Sequence, residues 1–143
     1  MATLTKRKSG PTRSQLIKKA DKYFSLAVRY RDGKKRGGEW YTICITCDKW
    51  IPLKQCHAGH FMSRRYIATR WDDDNVNGQC SGCNTFRAGE QYKYSKALEL
   101  KYGTGTAERL HKQAQKIKKI TTQELEDIIN EAKEQIKFYE KGI

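Results

Sequence analysis

An α+β fold, with a metal-stapled core held between flanking helices, is what three features of this 143-residue chain predict. Four cysteines form two hooks, Cys44-x-x-Cys47 and Cys80-x-x-Cys83, at either end of residues 48–79. Short aromatic and β-branched runs flank the first hook and read as strands. Amphipathic stretches with helix-start signals lie on both sides of this region.

Taken in order, residues 1–11 are polar and basic and read as a flexible arm. Thr12-x-x-Gln15 is a capping box. Leu16, Ile17, Ala20, Phe24, Ala27 and Val28 follow at helical spacing, so a helix is expected over about 13–31. The stretch Arg31-Asp-Gly-Lys-Lys-Arg-Gly-Gly38 reads as a basic turn or mobile loop, closing an N-terminal segment over 12–38. Glu39 to Ile45 should be a short strand entering the first hook, and Trp50 to Leu53 a second extended segment. Met62 to Arg70 reads as irregular, Trp71 to Asn75 as a turn, and Cys83 to Phe86 as a short helix.

The remainder is predicted helical. Glu90 to Tyr102 stops at Gly103, as helix ends often do. Thr106 is expected to cap a segment carrying Leu110, Ala114 and Ile117. Thr121-x-x-Glu124 is a second capping box, ahead of Leu125, Ile128, Ile129, Ala132, Ile136 and Tyr139. Residues 39–103 are thus the expected core, and 104–143 a helical region whose apolar stripe suits dimerisation.

Composition narrows the partners. Lys and Arg number 29 against 16 Asp and Glu, a formal charge of +13, which favours a polyanion. No apolar run is long enough to span a bilayer, and the basic N-terminus lacks the apolar stretch of a secretory signal. An intracellular, reducing location is expected, where paired cysteines bind metal more often than they form disulfides. With 37% hydrophobic residues the core is small, so a structural zinc held by Cys44, Cys47, Cys80 and Cys83 should contribute to folding. Cys56 is left over, as a small filler or a reactive thiol.

Between the hooks lies His57-Ala58-Gly59-His60, and Asn84 follows the second hook directly. Closing the hooks brings His60 and Asn84 together. Phosphodiester hydrolysis needs an activated water, and a histidine beside the phosphate can act as its general base. A divalent cation such as Mg²⁺ or Mn²⁺ can clamp the phosphate and stabilise the leaving oxygen. Asn84 offers that cation an oxygen, and His57 an imidazole nitrogen. The alternatives are a helix N-cap for Asn84 and a surface phosphate contact for His57. The Asn75 amide is placed to hold the backbone around His60. Arg64, Arg65 and Arg70 beside the motif, and Lys34, Lys35 and Arg36 in the basic stretch, are candidate DNA contacts. Trp40, Trp50 and Trp71 are candidates for base stacking, with core packing favoured for at least two.

The run from Cys-x-x-Cys through Ala58-Gly-His-Phe61, Ala68-Thr-Arg-Trp71 and Asn75-Val-Asn-Gly-Gln-Cys80-x-x-Cys83-Asn84 resembles the NinG (Rap) family of phage recombination nucleases. Gly89-x-x-x-x-Tyr94 and Leu100-x-Tyr102-Gly103 extend the resemblance, which covers about residues 40–103. More broadly the layout is similar to the HNH, or ββα-metal, endonucleases. The resemblance implies a phage-encoded, metal-dependent endonuclease for branched DNA such as Holliday junctions. It also implies His60 as general base, Asn75 as central asparagine, Asn84 closing the triad, and a catalytic metal separate from the zinc. HNH enzymes often carry an acidic metal ligand just before the base, where this chain has Gly59. His57 is the expected substitute, with an acid among Asp72, Asp73 and Asp74 as the alternative. Symmetric cutting of a four-way junction would call for a homodimer. Two other readings compete: an HNH nuclease acting on simple duplex DNA, and a zinc module that binds DNA without cutting it.

Overall fold

A Thr12 capping box opens the first helix, α1 (Arg13–Arg31): the Thr12 hydroxyl accepts from Gln15 N at 3.2 Å, and Gln15 Oε1 accepts from Thr12 N at 2.9 Å. The structure is a computed structural model that describes residues 10–141. The basic arm expected over residues 1–11, with Lys6, Arg7 and Lys8, lies almost wholly outside that range.

After α1 the chain forms β1 (Gly33–Arg36) and β2 (Glu39–Ile43), which pair antiparallel around Gly37 and Gly38. Both glycines take positive φ, +60° and +81°, as a tight hairpin connection requires. Half of the stretch expected to be a basic turn or mobile loop, Gly33–Arg36, is therefore a strand. Its four residues carry no β propensity beyond their backbone, and pairing with the β-prone Trp40–Thr42 fixes their conformation. β3 (Trp50–Pro52) adds to the other edge of β2.

A second, two-stranded sheet joins β4 (His57–His60) to β5 (Val76–Gln79), with His60 opposite Val76. The connection between them contains α2 (Ile67–Arg70), one helical turn in a stretch expected to be irregular. A π-type turn, Gly82–Phe86, follows β5 where a short helix was expected. Then come α3 (Gln91–Tyr102), α4 (Thr106–Ala114) and α5 (Thr122–Glu140). Thr106 is the first residue of α4 rather than its cap. Its hydroxyl donates to Gly103 O, and the cap position is Gly105 at φ +93°. Ile117 lies beyond α4 and is exposed, so it takes no part in the expected apolar stripe.

Helices α1 and α5 pack along their lengths and run in the same direction. Leu16 and Ala20 meet Leu125 and Ile129 at one end, and Ala27 and Tyr30 meet Ala132 and Ile136 at the other. Tyr30 and Tyr139 stack with centroids 5.7 Å apart. The α5 stripe expected to serve a dimer is thus buried inside the chain by α1. Ile67 and Trp71 pack on this same core, and α1 also contacts both β4 and β5, so the helix pair backs the segment that carries the histidines.

Candidate functional site

The two cysteine hooks converge. All four thiol sulfurs lie within 4.8 Å of one another, and Cys47 Sγ is 3.7 Å from Cys80 Sγ. Four thiolates around one zinc at roughly 2.3 Å would sit about 3.8 Å apart, so the cluster fits a tetrahedral zinc. Three of the four are buried. The surroundings favour the ionised form of one ligand. Burial raises the Cys83 thiol, but hydrogen bonds from Thr46 and Arg87 outweigh it and bring it to about 7. Burial, reinforced by the adjacent Cys44 thiol, pushes Cys47 up to about 12. Thiols this close resist losing all their protons together unless a cation sits among them. Cys56 stands apart: it is buried, its S–H faces the Gln79 carbonyl at 3.3 Å, and burial pushes it up to about 11. It is filler, not a reactive surface thiol.

The staple places the residues after it. Ile45 N donates to Gly78 O at 2.8 Å, joining the first hook to β5. Asn84 N donates to Cys80 O at 2.8 Å, so the second hook fixes where Asn84 begins. Asn84 and His60 then line one cleft of about 380 Å³, with Asp21, Ser25, Ala58, Ser63 and Arg64. They also line an adjoining cleft of about 360 Å³. Alternation along β4 puts Ala58 and His60 on the face that meets these clefts and directs His57 to the other face. His57 still reaches Asn84, with Nδ1 3.1 Å from the amide nitrogen. The amide oxygen and nitrogen are interchangeable by a flip. With the oxygen turned towards His57, the pair offers one nitrogen and one oxygen donor to a single cation.

His60 is held through one nitrogen. Its Nε2 lies 3.0 Å from Arg70 O, an acceptor, so Nε2 carries the proton and Nδ1 keeps its lone pair. Burial lowers the His60 pKa, opposed by that carbonyl and aided by Arg64. The ring is therefore neutral at pH 7. Asn75, wholly buried, ties down the loop after His60: its oxygen accepts from Met62 N at 2.8 Å, and its amide donates to Met62 O and Thr69 O, each at 3.0 Å.

The remaining candidates are dispersed. Arg64 and Arg65 are exposed, and Arg64 reaches the cleft. The Arg70 guanidinium is engaged within the protein, donating to both Asp21 carboxylate oxygens and to Arg64 O. Lys34, Lys35 and Arg36 are exposed along β1, with Lys34 and Arg36 lying over the Trp50 ring. Trp40 and Trp71 are packed in the apolar clusters. Asp72 and Asp74 pair with Arg109. Gly59 leaves no room for an acid before His60, since a Cβ there would come within 2.9 Å of Gln79 Cβ.

Residue type and spacing assign no role to four supports of the site. Asp21 is a lone carboxylate among the lysines of α1, and only tertiary packing brings it to the cleft. Tyr94, wholly buried, donates to Gly59 O at 2.6 Å, just before His60. Asn77, wholly buried on β5, accepts from Arg31, Lys101 and Tyr102. Asp32 accepts from Arg31, Lys101 and Gly78 N.

A family model described as Bacteriophage Lambda NinG protein matches residues 2–142. No curated protein and no solved structure matches the chain. Among the described residues, no helix is long and apolar enough to cross a membrane.

Proposed function

The chain belongs to the NinG family, and on that premise, which points to a phage recombination-related role, we propose that it is a divalent-metal-dependent endodeoxyribonuclease for branched DNA such as Holliday junctions. The observation that carries this reading is the convergence of His60 and Asn84 on one cleft beside a zinc-competent cysteine cluster. On this reading β4, β5 and the turn at Gly82–Phe86 form an HNH-like ββα-metal core.

Each residue then has a task. His60, neutral at pH 7 and protonated on Nε2, takes a proton from the attacking water through Nδ1. Arg70 O holds the ring during that transfer and stabilises the imidazolium that forms. Asn75 fixes the loop from Met62 to Thr69, so that His60 and Arg64 keep their places beside the phosphate. Arg64 contributes positive charge in the cleft. Asn84, with His57 beside it, would hold Mg²⁺ or Mn²⁺, which when bound supplies charge stabilisation at the phosphate and leaving oxygen. Water attack on phosphorus, with departure of the 3′-oxygen, leaves 5′-phosphate and 3′-hydroxyl ends. Lys34, Lys35, Arg36 and Arg65 would follow the backbone of the arms. Two incisions across a four-way junction need two sites, so the acting form is a homodimer.

The test compares wild type and His60→Ala on four-way junction, flap, nicked and linear duplex DNA in Mg²⁺ or Mn²⁺. Wild type should cut the junction fastest, and His60→Ala should lose about 10²–10⁴-fold in rate while still binding it. Equal cutting of linear duplex would replace the junction reading with a duplex-nicking one. A wild-type protein that binds but never cuts, with any divalent metal, would leave a zinc-stabilised DNA-binding module.

A further inference from the structure

His60 keeps its tautomer through a carbonyl, and that carbonyl belongs to the last residue of a single helical turn, α2. One turn of helix is too short to hold itself rigid. Arg70 is instead fixed by its own side chain. Nε donates to Asp21 Oδ1 at 3.1 Å, Nη2 to Asp21 Oδ2 at 2.5 Å, and Nη1 to Arg64 O at 3.0 Å. Two parallel bonds from a guanidinium to a carboxylate fix direction as well as distance. Both side chains are about one-fifth exposed, which limits screening by water.

Asp21 sits in the middle of α1, whose apolar face is locked against α5. A continuous chain of contacts therefore runs from the helix pair through Asp21 and Arg70 to His60 Nε2. The ion pair also keeps the Arg70 guanidinium turned away from His60 and occupied. Freed, that cation could swing into the cleft that His60, Arg64 and Asn84 share. Among the described residues Asp21 is the one carboxylate lining that cleft, and Arg70 already holds both of its oxygens.

We infer that Asp21 is the positioning residue of the general base: from outside the zinc-stapled core it clamps Arg70, whose carbonyl sets the orientation and Nε2–H tautomer of His60. This rests on the nuclease reading for its catalytic consequence, but its structural part can be measured without any cleavage. The side-chain nitrogen resonances of His60, in ¹⁵N-labelled zinc-loaded protein at pH 8, report the tautomer directly. Wild type should show His60 as the Nε2–H form, and Asp21→Ala a mixture with the Nδ1–H form, while His57 and His111 remain unchanged.

Junction cleavage is the second readout. Asp21→Asn and Asp21→Ala should lower kcat about 100-fold with junction Kd within about twofold of wild type, as expected when a reacting group is misplaced by about 1 Å. Asp21→Glu, which can still clamp Arg70 in two places, should recover most of the rate. Zinc content and circular dichroism identify any variant that fails to fold, in which case Asp21→Asn, close to Asp21 in shape, carries the test. An unchanged His60 tautomer in folded Asp21→Ala and Asp21→Asn would overturn the inference whether or not the protein cuts DNA. A tautomer change together with a wild type that never cuts would defeat the nuclease reading alone.

Discussion

The cysteine-hooked core and the α1–α5 pair are built from different materials. Between α1 and α5 the buried residues are aliphatic and aromatic: Leu16, Ala20, Leu125, Ile129, Ala132 and Ile136. In the core, the buried side chains around β5 include Asn75, Asn77 and Gln79 alongside Val76, beside the thiols of Cys44, Cys80 and Cys83. The helix pair therefore coheres by burial of apolar surface, while the core adds a zinc-competent thiol cluster and hydrogen-bonded polar side chains to a smaller apolar cluster around Tyr94, Leu98 and Leu110. The site-bearing part of the molecule is thus the one whose interior polar side chains share. That fits its content, since a cleft lined by His60, Asn84, Asp21 and Arg64 cannot also be an apolar core.

Removing the metal should produce the largest difference between the two regions. Zinc in small finger peptides contributes on the order of 10 kcal/mol to folding. Treatment with a strong chelator, or the double substitution Cys44→Ala with Cys83→Ala, should abolish near-ultraviolet circular dichroism from the core. Helical signal should persist in part, from α1 and α5. Metal analysis should give one zinc per chain before treatment and none after it. An unchanged thermal midpoint after complete zinc removal would contradict the staple.

Next in size is the polar network. The Asp32 side chain is only 7% exposed and accepts from Arg31, Lys101 and Gly78 N. Asp32→Ala leaves Arg31 and Lys101 with Asn77 as a neutral acceptor and partial access to water, so it should cost about 3 kcal/mol, the low end for breaking a buried pair. Urea denaturation measures it. Burial alone would raise the Asp32 pKa, yet the hydrogen bonds and charges of Arg31 and Lys101 bring it below its usual value. Its contribution is therefore complete above about pH 4 and lost as pH falls through the depressed folded value. Asp32→Ala should remove that acid sensitivity along with the stability.

The helix pair should answer to a different perturbation. Leu125→Ala empties a fully buried aliphatic site and should cost about 3 kcal/mol, with zinc content unchanged. If the α1 anchorage weakens with it, the His60 nitrogen resonances shift while the zinc content holds, which separates the two supports of His60.

This contrast also decides what could be read from the chain in advance. The capping boxes at Thr12 and Thr121, the apolar spacing of α1 and α5, and the cysteine hooks are short-range patterns, and each marks an element found in the structure. Strand β1 could not be read, because Gly33-Lys-Lys-Arg36 has no strand signal and is defined by its partner, β2. The links from Asn77 to Lys101, Asp32 to Gly78, and Asp21 to Arg70 span 24, 46 and 49 positions. Nothing local distinguishes such residues from solvated polar ones. Of the site itself, residue type and spacing offered His57, His60, Asn75 and Asn84. They were silent on Asp21 and Tyr94, which support the site from elsewhere in the chain.

A smaller effect comes from His60. Burial holds its folded pKa below the ordinary value near 6.5, so the unfolded chain binds a proton more readily. Stability from this group is full above about pH 6.5 and declines as pH falls towards the folded value, by at most about 1.4 kcal/mol per pH unit. Denaturation midpoints of zinc-loaded wild type at pH 8 and 5.5, without added Mg²⁺, should differ more than those of His60→Gln. Equal differences would mean that the ring is not desolvated in solution.

The smallest expected effects separate the two long helices. Thr12 and Thr121 each close a capping box, and replacing either by Ala should cost about 1 kcal/mol. Their consequences for the site should differ little, despite α1 carrying Asp21. Fraying at a lost cap is confined to the first turn, whereas Asp21 lies two turns inside α1, beyond the buried Leu16 and Ala20. Arg13 provides a further tie at that end, donating to Ile120 O at 2.6 Å. Thr12→Ala should therefore lower the thermal midpoint by a few degrees and leave the His60 nitrogen resonances in place. A shift of those resonances in Thr12→Ala would mean that α1 moves as a rigid rod from its first residue, and that the cleft is coupled to the whole helix rather than to the segment packed on α5.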